Sequence, residues 1–331
     1  MSRLYDTLRR MEKDRQQQGI ASPELDDPIE LLKNILDAPE LAKPFELPKN
    51  TIGGARVRAD AHEHDQPVEV LNDVHVLDDI VEAPVETAER RRAQIKVGEA
   101  SRLVAFSDSK SLGAEKFRAL VARLENLRRK SDLKSLQVTS AVVHEGKSLV
   151  SANLAVTLVK HFGYKVLLVE GDLHRPSIGT LLGLPHFEGI AQWWRKRQGK
   201  NEIARYIYEL DGTSLSFLGA GSSFDQPAQI LQSGRFGQAF LSLVGGFDWV
   251  VVDSTPMSPI VDVNLWSRLV DGTLLVVREG VAPIKALKIG VRGLDNPKWL
   301  GIVLNEASEF DRVNYADQYY GVNSQEKQEI T

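Results

Sequence analysis

The 331-residue chain contains no cysteine, which removes disulfide frameworks and cysteine-based metal sites from consideration and fits a reducing compartment. No run of about 18 apolar residues occurs, so no segment reads as a membrane-spanning helix. The first residues, MSRLYDTLRRMEKDRQQQ, lack the apolar core of a secretory signal. Charge of one sign is also missing: the formal net charge is -4, and nothing suggests a general nucleic-acid binder. What remains is 42% hydrophobic and 26% charged, enough for one substantial α/β domain with extra sequence attached.

Three zones are expected. Residues 1–98 are acidic and interrupted by Pro23, Pro28, Pro39, Pro44 and Pro48, which predicts a largely disordered region with short helices. One such helix spans residues 3–18, where Leu4, Leu8 and Met11 form an apolar stripe beside Arg9, Arg10, Lys13 and Arg15. That helix suits a partner or an anionic membrane surface, or it is a solvated tail. Residues 99–312 alternate strand and helix patterns, which predicts a doubly wound, mainly parallel sheet with helices on both faces. Trp193 and Trp194, followed by Arg195, Lys196 and Arg197, read either as a core aromatic pair or as a binding surface. Residues 313–331 are polar and carry Tyr315, Tyr319 and Tyr320; they form a flexible tail or a last helix with Tyr315 and Tyr319 on one face.

The strongest chemical signal is VTSAVVHEGKSLVSANLAVTL over 138–158. An apolar strand ends in Glu145-Gly146-Lys147-Ser148, and an amphipathic helix follows. A loop of this kind points backbone N–H groups inward, and the helix N-terminus adds positive potential, so the segment suits a polyphosphate. Lys147 reaches the β/γ-phosphates and the Ser148 hydroxyl meets Mg2+ in such a loop. The pattern G-x-x-x-x-G-K-[ST] is incomplete, because Ala141 holds its first glycine position. The cradle comprises Val143, His144, Glu145, Gly146, Lys147, Ser148 and Leu149. Two further strands, in KVLLVEGDLHRPS (165–177) and FDWVVVDSTPMSPIVD (247–262), end in acids. Asp172 and Asp253 are thereby candidates for holding Mg2+ through water, or simply turn caps.

In that order the motifs resemble those of the bacterial tyrosine kinases that accompany capsule and exopolysaccharide synthesis, a branch of P-loop ATPases related to septum-site and partitioning ATPases. The family's S-A-x-P-G-E-G-K-S, D-x-D-L-R-R-P-S and D-T-P-P appear here as SAVVHEGKS, VEGDLHRPS and VVVDSTPM. EKFRAL (115–120), QPAQILQSGRF (226–236) and LVDGTLLVVREG (269–280) extend the resemblance over about two-thirds of the chain. It implies ATP and Mg2+ as cofactors and phosphoryl transfer to tyrosine. Lys147, Asp172, Asp253, Glu170 and Arg175 become the catalytic candidates, with Ser148, Asp172 and Asp253 around the metal. Asn305, after the strand ending IVL, takes an adenine contact. Glu115 and Arg118 match part of an oligomerisation helix, so a homo-oligomeric ring is implied, with Tyr315, Tyr319 and Tyr320 phosphorylated between subunits. A membrane-embedded polysaccharide co-polymerase is the implied activator, which places the chain in the cytoplasm at the inner membrane.

Departures from that pattern carry expectations of their own. His144 stands where the family has glycine, which predicts a non-glycine residue in a strained backbone conformation. Glu170 replaces the first acid of D-x-D, and its extra methylene is expected to displace a carboxylate at the metal or the hydroxyl. His174 replaces an arginine. These keep open a catalytically weak nucleotide-binding scaffold of the export complex. A partitioning or septum-type ATPase switch is disfavoured by Val142, where that branch places a second lysine.

Overall fold

The computed structural model describes residues 91–95 and 102–306, apart from 185, 223–225, 259–260 and 296–297. The helix expected over 3–18 and the tail carrying Tyr315, Tyr319 and Tyr320 lie outside the described residues. Eight strands form one sheet: β1 (Arg91–Ala93), β2 (Ser135–Ser140), β3 (Val166–Glu170), β4 (Ile207–Leu210), β5 (Leu215–Leu218), β6 (Trp249–Asp253), β7 (Gly272–Arg278) and β8 (Trp299–Asn305). Their order is β1-β4-β5-β3-β6-β2-β7-β8, and every pairing is parallel except β4 with β5.

The apolar pattern explains why both faces are covered. Along β3, Val166 and Leu168 enter one core while Leu167 and Val169 enter the other; in β6, Trp249 and Val251 part from Val250 and Val252 in the same way. A strand buried on both sides reads as a continuous hydrophobic run, as these do. The first face is packed by α1 (Val104–Ser107), α2 (Leu112–Arg128), α3 (Lys147–Phe162) and α4 (Ile178–Leu181). The second is packed by α5 (Ile190–Arg195), a 3-10 turn (Lys200–Tyr206), α6 (Pro227–Gln232), α7 (Gly234–Val244) and α8 (Val261–Ser267); α9 (Ile284–Arg292) follows β7. Burying one such aliphatic side chain contributes about 1.5–3 kcal/mol, so α3, buried from Val150 through Val159, anchors the fold firmly.

Two strands escape the sequence pattern. β1 lies inside the zone expected to be disordered up to residue 98, yet Arg91–Ala93 add to the sheet edge beside β4. β4 is short and antiparallel to β5, against the expectation of simple alternation. Trp193 is fully buried, so that half of the tryptophan pair belongs to the core. Among the described residues no helix is long and apolar enough to cross a membrane.

Candidate active site

The carboxyl ends of β2, β3, β6, β7 and β8 open into one cleft of about 800 Å3. Open parallel sheets bind ligands in this crevice, where the strand order reverses direction. Here β2 has β6 on one side and β7 on the other. Val143, His144, Gly146, Lys147, Ser148, Leu149, Asp172, Arg175 and Asn305 all line it. The sequence-predicted residues thus converge, with Glu145, Glu170 and Asp253 placed behind the lining.

The loop between β2 and α3 is held from within. The Glu145 carboxylate is fully buried and accepts from the backbone N–H of Val142 at 2.8 Å and of Arg278 at 3.2 Å. Burial pushes its pKa up, while the backbone donors pull it back. Glu145 therefore braces the loop against β7 with its side chain, which leaves only its backbone to the cradle. His144 has φ 67, the strain expected from its sequence position. Gly146 has φ 92, and a Cβ there would stand 2.2 Å from Asn305 Nδ2, so two independent reasons require glycine. Asn305 Nδ2 donates to the Glu145 carbonyl at 2.8 Å. Its amide nitrogen is thus committed to the loop; the side chain still borders the cleft.

Lys147 begins α3, and its ammonium lies 2.9 Å from Asp172 Oδ2 and 3.8 Å from Asp253 Oδ1. Burial alone would lower its pKa, but the neighbouring carboxylates of Asp253 and Asp172 outweigh that and hold it above the ordinary lysine value. Asp172 is doubly engaged, because its Oδ1 accepts the Arg175 backbone N–H at 2.9 Å. It is both a turn cap and the ion-pair partner of Lys147. Asp253 is completely buried, with Ser151 Oγ at 3.3 Å from Oδ1. Desolvation pushes its pKa up to about 6 against the pull of Lys147. Among the described residues its Oδ2 and the Thr255 hydroxyl, both buried, have no hydrogen-bond partner.

Glu170 departs from its expected place. Its Oε1 accepts from the backbone N–H of Ile178 at 2.6 Å and of Gly179 at 3.4 Å, and Oε2 accepts from Ala220 at 3.1 Å. The longer side chain ties the turn into α4 and the segment after β5 to the end of β3. It does not line the cleft, so the expected displacement at a metal or hydroxyl does not arise. His174 Nε2 meets Asp262 Oδ2 at 2.8 Å on the cleft wall. Sequence reading missed this pair and Thr255; the position of Thr255 two residues past Asp253 was the available signal. It also missed Glu306, which pairs with Arg278 and stands 3.8 Å from Arg102 at the rim. Glu115 and Arg118 pair with one another along α2, and Arg118 also donates to the Ser109 carbonyl at 2.9 Å.

Among the described residues no group of three or more His, Cys, Asp or Glu side chains could hold a metal unaided. A Mg2+ here has to draw most of its ligands from phosphate and water, which is its normal habit. The orphaned Asp253 Oδ2, the Thr255 hydroxyl and the cradle emptied by Gly146 fit such a cation with its phosphates.

Comparison with known proteins agrees with this geometry. No family model matches the chain. CapB of Staphylococcus aureus is 30% identical over 224 residues, covering 67% of this chain and 96% of CapB. Tyrosine-protein kinase YwqD of Bacillus subtilis (strain 168) is 27% identical over 221 residues, 66% of this chain and 91% of YwqD. The crystal structure of the chimerical protein CapA2B2 superposes with a TM-score of 0.58 at 25% identity, covering 66% of this chain and 95% of that one. By its sequence, its sheet and its phosphate loop, the chain belongs to the bacterial tyrosine-kinase family.

Proposed function

We propose that this chain is an ATP-dependent protein-tyrosine kinase that regulates exopolysaccharide or capsule synthesis. The observation that carries the reading is the meeting of Lys147, Asp172 and Asp253 at the N-terminus of α3. An apo ion pair of this kind holds Lys147 where triphosphate oxygens would otherwise take it. The loop amides from Val143 to Leu149 and the start of α3 favour those oxygens. Ser148 and Asp253 would hold Mg2+, which when bound would supply positive charge against the triphosphate. Lys147 exchanges Asp172 for phosphate oxygens and so releases the Asp172 carboxylate. A tyrosine hydroxyl, with a pKa of about 10, needs a proton acceptor as it attacks, and Asp172, a buried carboxylate that borders the cleft, takes that part in this reading. Arg175, whose side chain borders the cleft, steadies phosphate or an acidic peptide. Asn305 meets the adenine.

The acceptors in this reading are Tyr315, Tyr319 and Tyr320, offered by a neighbouring subunit of a ring in which Glu115 and Arg118 take part. A membrane-embedded co-polymerase activates the kinase on the cytoplasmic side of the inner membrane, with residues 3–18 available for surface contact; nucleic acid has no part. The direction of transfer is tested by mixing a Lys147→Met chain with a chain lacking the three tyrosines but otherwise intact. Phosphotyrosine is expected on the Lys147→Met chain; its absence, with the parent active in the same assay, would sink transfer between subunits.

A further inference from the structure

One end of the sheet carries positive charge that phosphotransfer does not use. Arg195, Lys196, Arg197 and Arg205 are exposed at the end of α5 and along the 3-10 turn, with Lys200 half-exposed among them. Arg235 of α7 lies beside them, 4.4 Å from the ring centre of half-buried Trp194. Among the described residues Glu202 pairs with Arg205 at 3.2 Å, and Glu188 is shared by Lys196 at 3.2 Å and Arg91. Five cations therefore stand against two acids between positions 188 and 205.

The chain enters the sheet at this same place. β1 runs parallel to β4 with Arg91 opposite Tyr208, so β1 begins at the end of β4 that follows Arg205 and Tyr206. Arg91 and Lys196 both stand over the Tyr206 ring, at 5.5 and 5.6 Å from its centre. The preceding stretch, 59–89, has ten acidic residues and no lysine or arginine. Connected by chain, Glu86 can lie no farther than about 17 Å from Arg91.

We propose that the acidic segment 59–89 docks on the Arg195–Arg205 surface of its own chain, led there by β1. Single exposed ion pairs are weak, but a run of one sign held at a patch of the other acts as a group and at high local concentration.

Zero-length carbodiimide coupling of the full-length protein, followed by peptide mass mapping, tests this. Amide links from Lys196 or Lys200 to Glu82, Glu86 or Glu89 are expected at about 0.1 M salt. Their yield should fall about fivefold at about 1 M salt, where the screening length shrinks to roughly 3 Å. It should be lost when the three glutamates are replaced together by Gln. Lys196 and Glu188, 3.2 Å apart, provide an internal standard. In an equal mixture of 15N-labelled and unlabelled protein the links should stay within one isotope class. Formation of the Lys196–Glu188 link without any link to 82–89 overturns the proposal, and mixed-isotope links overturn it in favour of docking between two copies.

Discussion

Replacing Asp253 by Asn should stabilise the nucleotide-free protein while destroying its response to Mg-ATP. Asp253 is wholly buried, and its pKa is pushed from 3.8 to about 6. The folded state thus holds this proton more tightly than the unfolded chain does. The associated stability is fully present below pH 3.8 and is lost as pH rises through about 6. A shift of about two units corresponds to about 3 kcal/mol, borne by the parent near neutral pH. Asn carries no charge to desolvate, and Lys147 keeps Asp172 at 2.9 Å, so the variant leaves no unpaired ammonium. Thermal melts near neutral pH should therefore show the variant above the parent by up to about 3 kcal/mol, roughly 6–12 °C for a domain of this size. The gain should shrink on acidification and vanish near pH 4. With saturating Mg-ATP the order should reverse, because only the parent gains ligand stabilisation. A variant less stable than the parent at neutral pH without nucleotide, or an offset that ignores pH, would refute the reasoning.

Other outcomes follow from the same geometry. Gly146→Ala forces a left-handed residue at a cost of about 1–2 kcal/mol and pushes the Asn305 amide off the Glu145 carbonyl, so nucleotide affinity should drop at least about tenfold in a binding titration. Adding Asn305→Ala removes the clash but not the backbone strain, and should recover only part of that loss. Glu170→Asp withdraws the carboxylate from the amides of Ile178, Gly179 and Ala220, so denaturant unfolding should show a loss of about 2–3 kcal/mol with no gain in phosphotransfer. Asp172→Asn should retain ATP binding while lowering the transfer rate by about a hundredfold or more, the usual worth of a positioned proton acceptor. Mg-ATP affinity of the parent should also weaken as pH falls below about 6, since protonated Asp253 is a poor cation ligand.

The sequence made the phosphate loop legible because chemistry and periodicity coincide there: Gly146, Lys147 and Ser148 sit between a buried strand and an amphipathic helix. Asp172 and Asp253 were legible as strand-end acids, and a mainly parallel sheet around them followed from alternating strands and helices, although its strand order did not. Glu170 was misjudged because its neighbours in sequence are a motif while its partners, Ile178 and Gly179 at the start of α4 and Ala220 after β5, are brought to it only by the whole fold. Glu145 was hidden for the same reason, since its brace to Arg278 crosses from the loop after β2 to the end of β7. β1 gave no pattern at all. Arg-Arg-Ala has neither alternation nor apolar weight, and it becomes a strand only because β4 offers an edge and Glu188, Tyr206 and Tyr208 receive Arg91.

The central claim is that the Lys147–Asp172 cleft passes phosphate from ATP to tyrosine. Incubating the purified full-length protein with Mg-ATP and mapping phosphotyrosine by mass spectrometry, beside the Lys147→Met variant, tests it most directly. Phosphate is expected on Tyr315, Tyr319 or Tyr320 of the parent and on no tyrosine of the variant. Equal tyrosine phosphorylation of both proteins, or ATP bound by the parent with no phosphotyrosine formed even when its activating partner is supplied, would contradict the account.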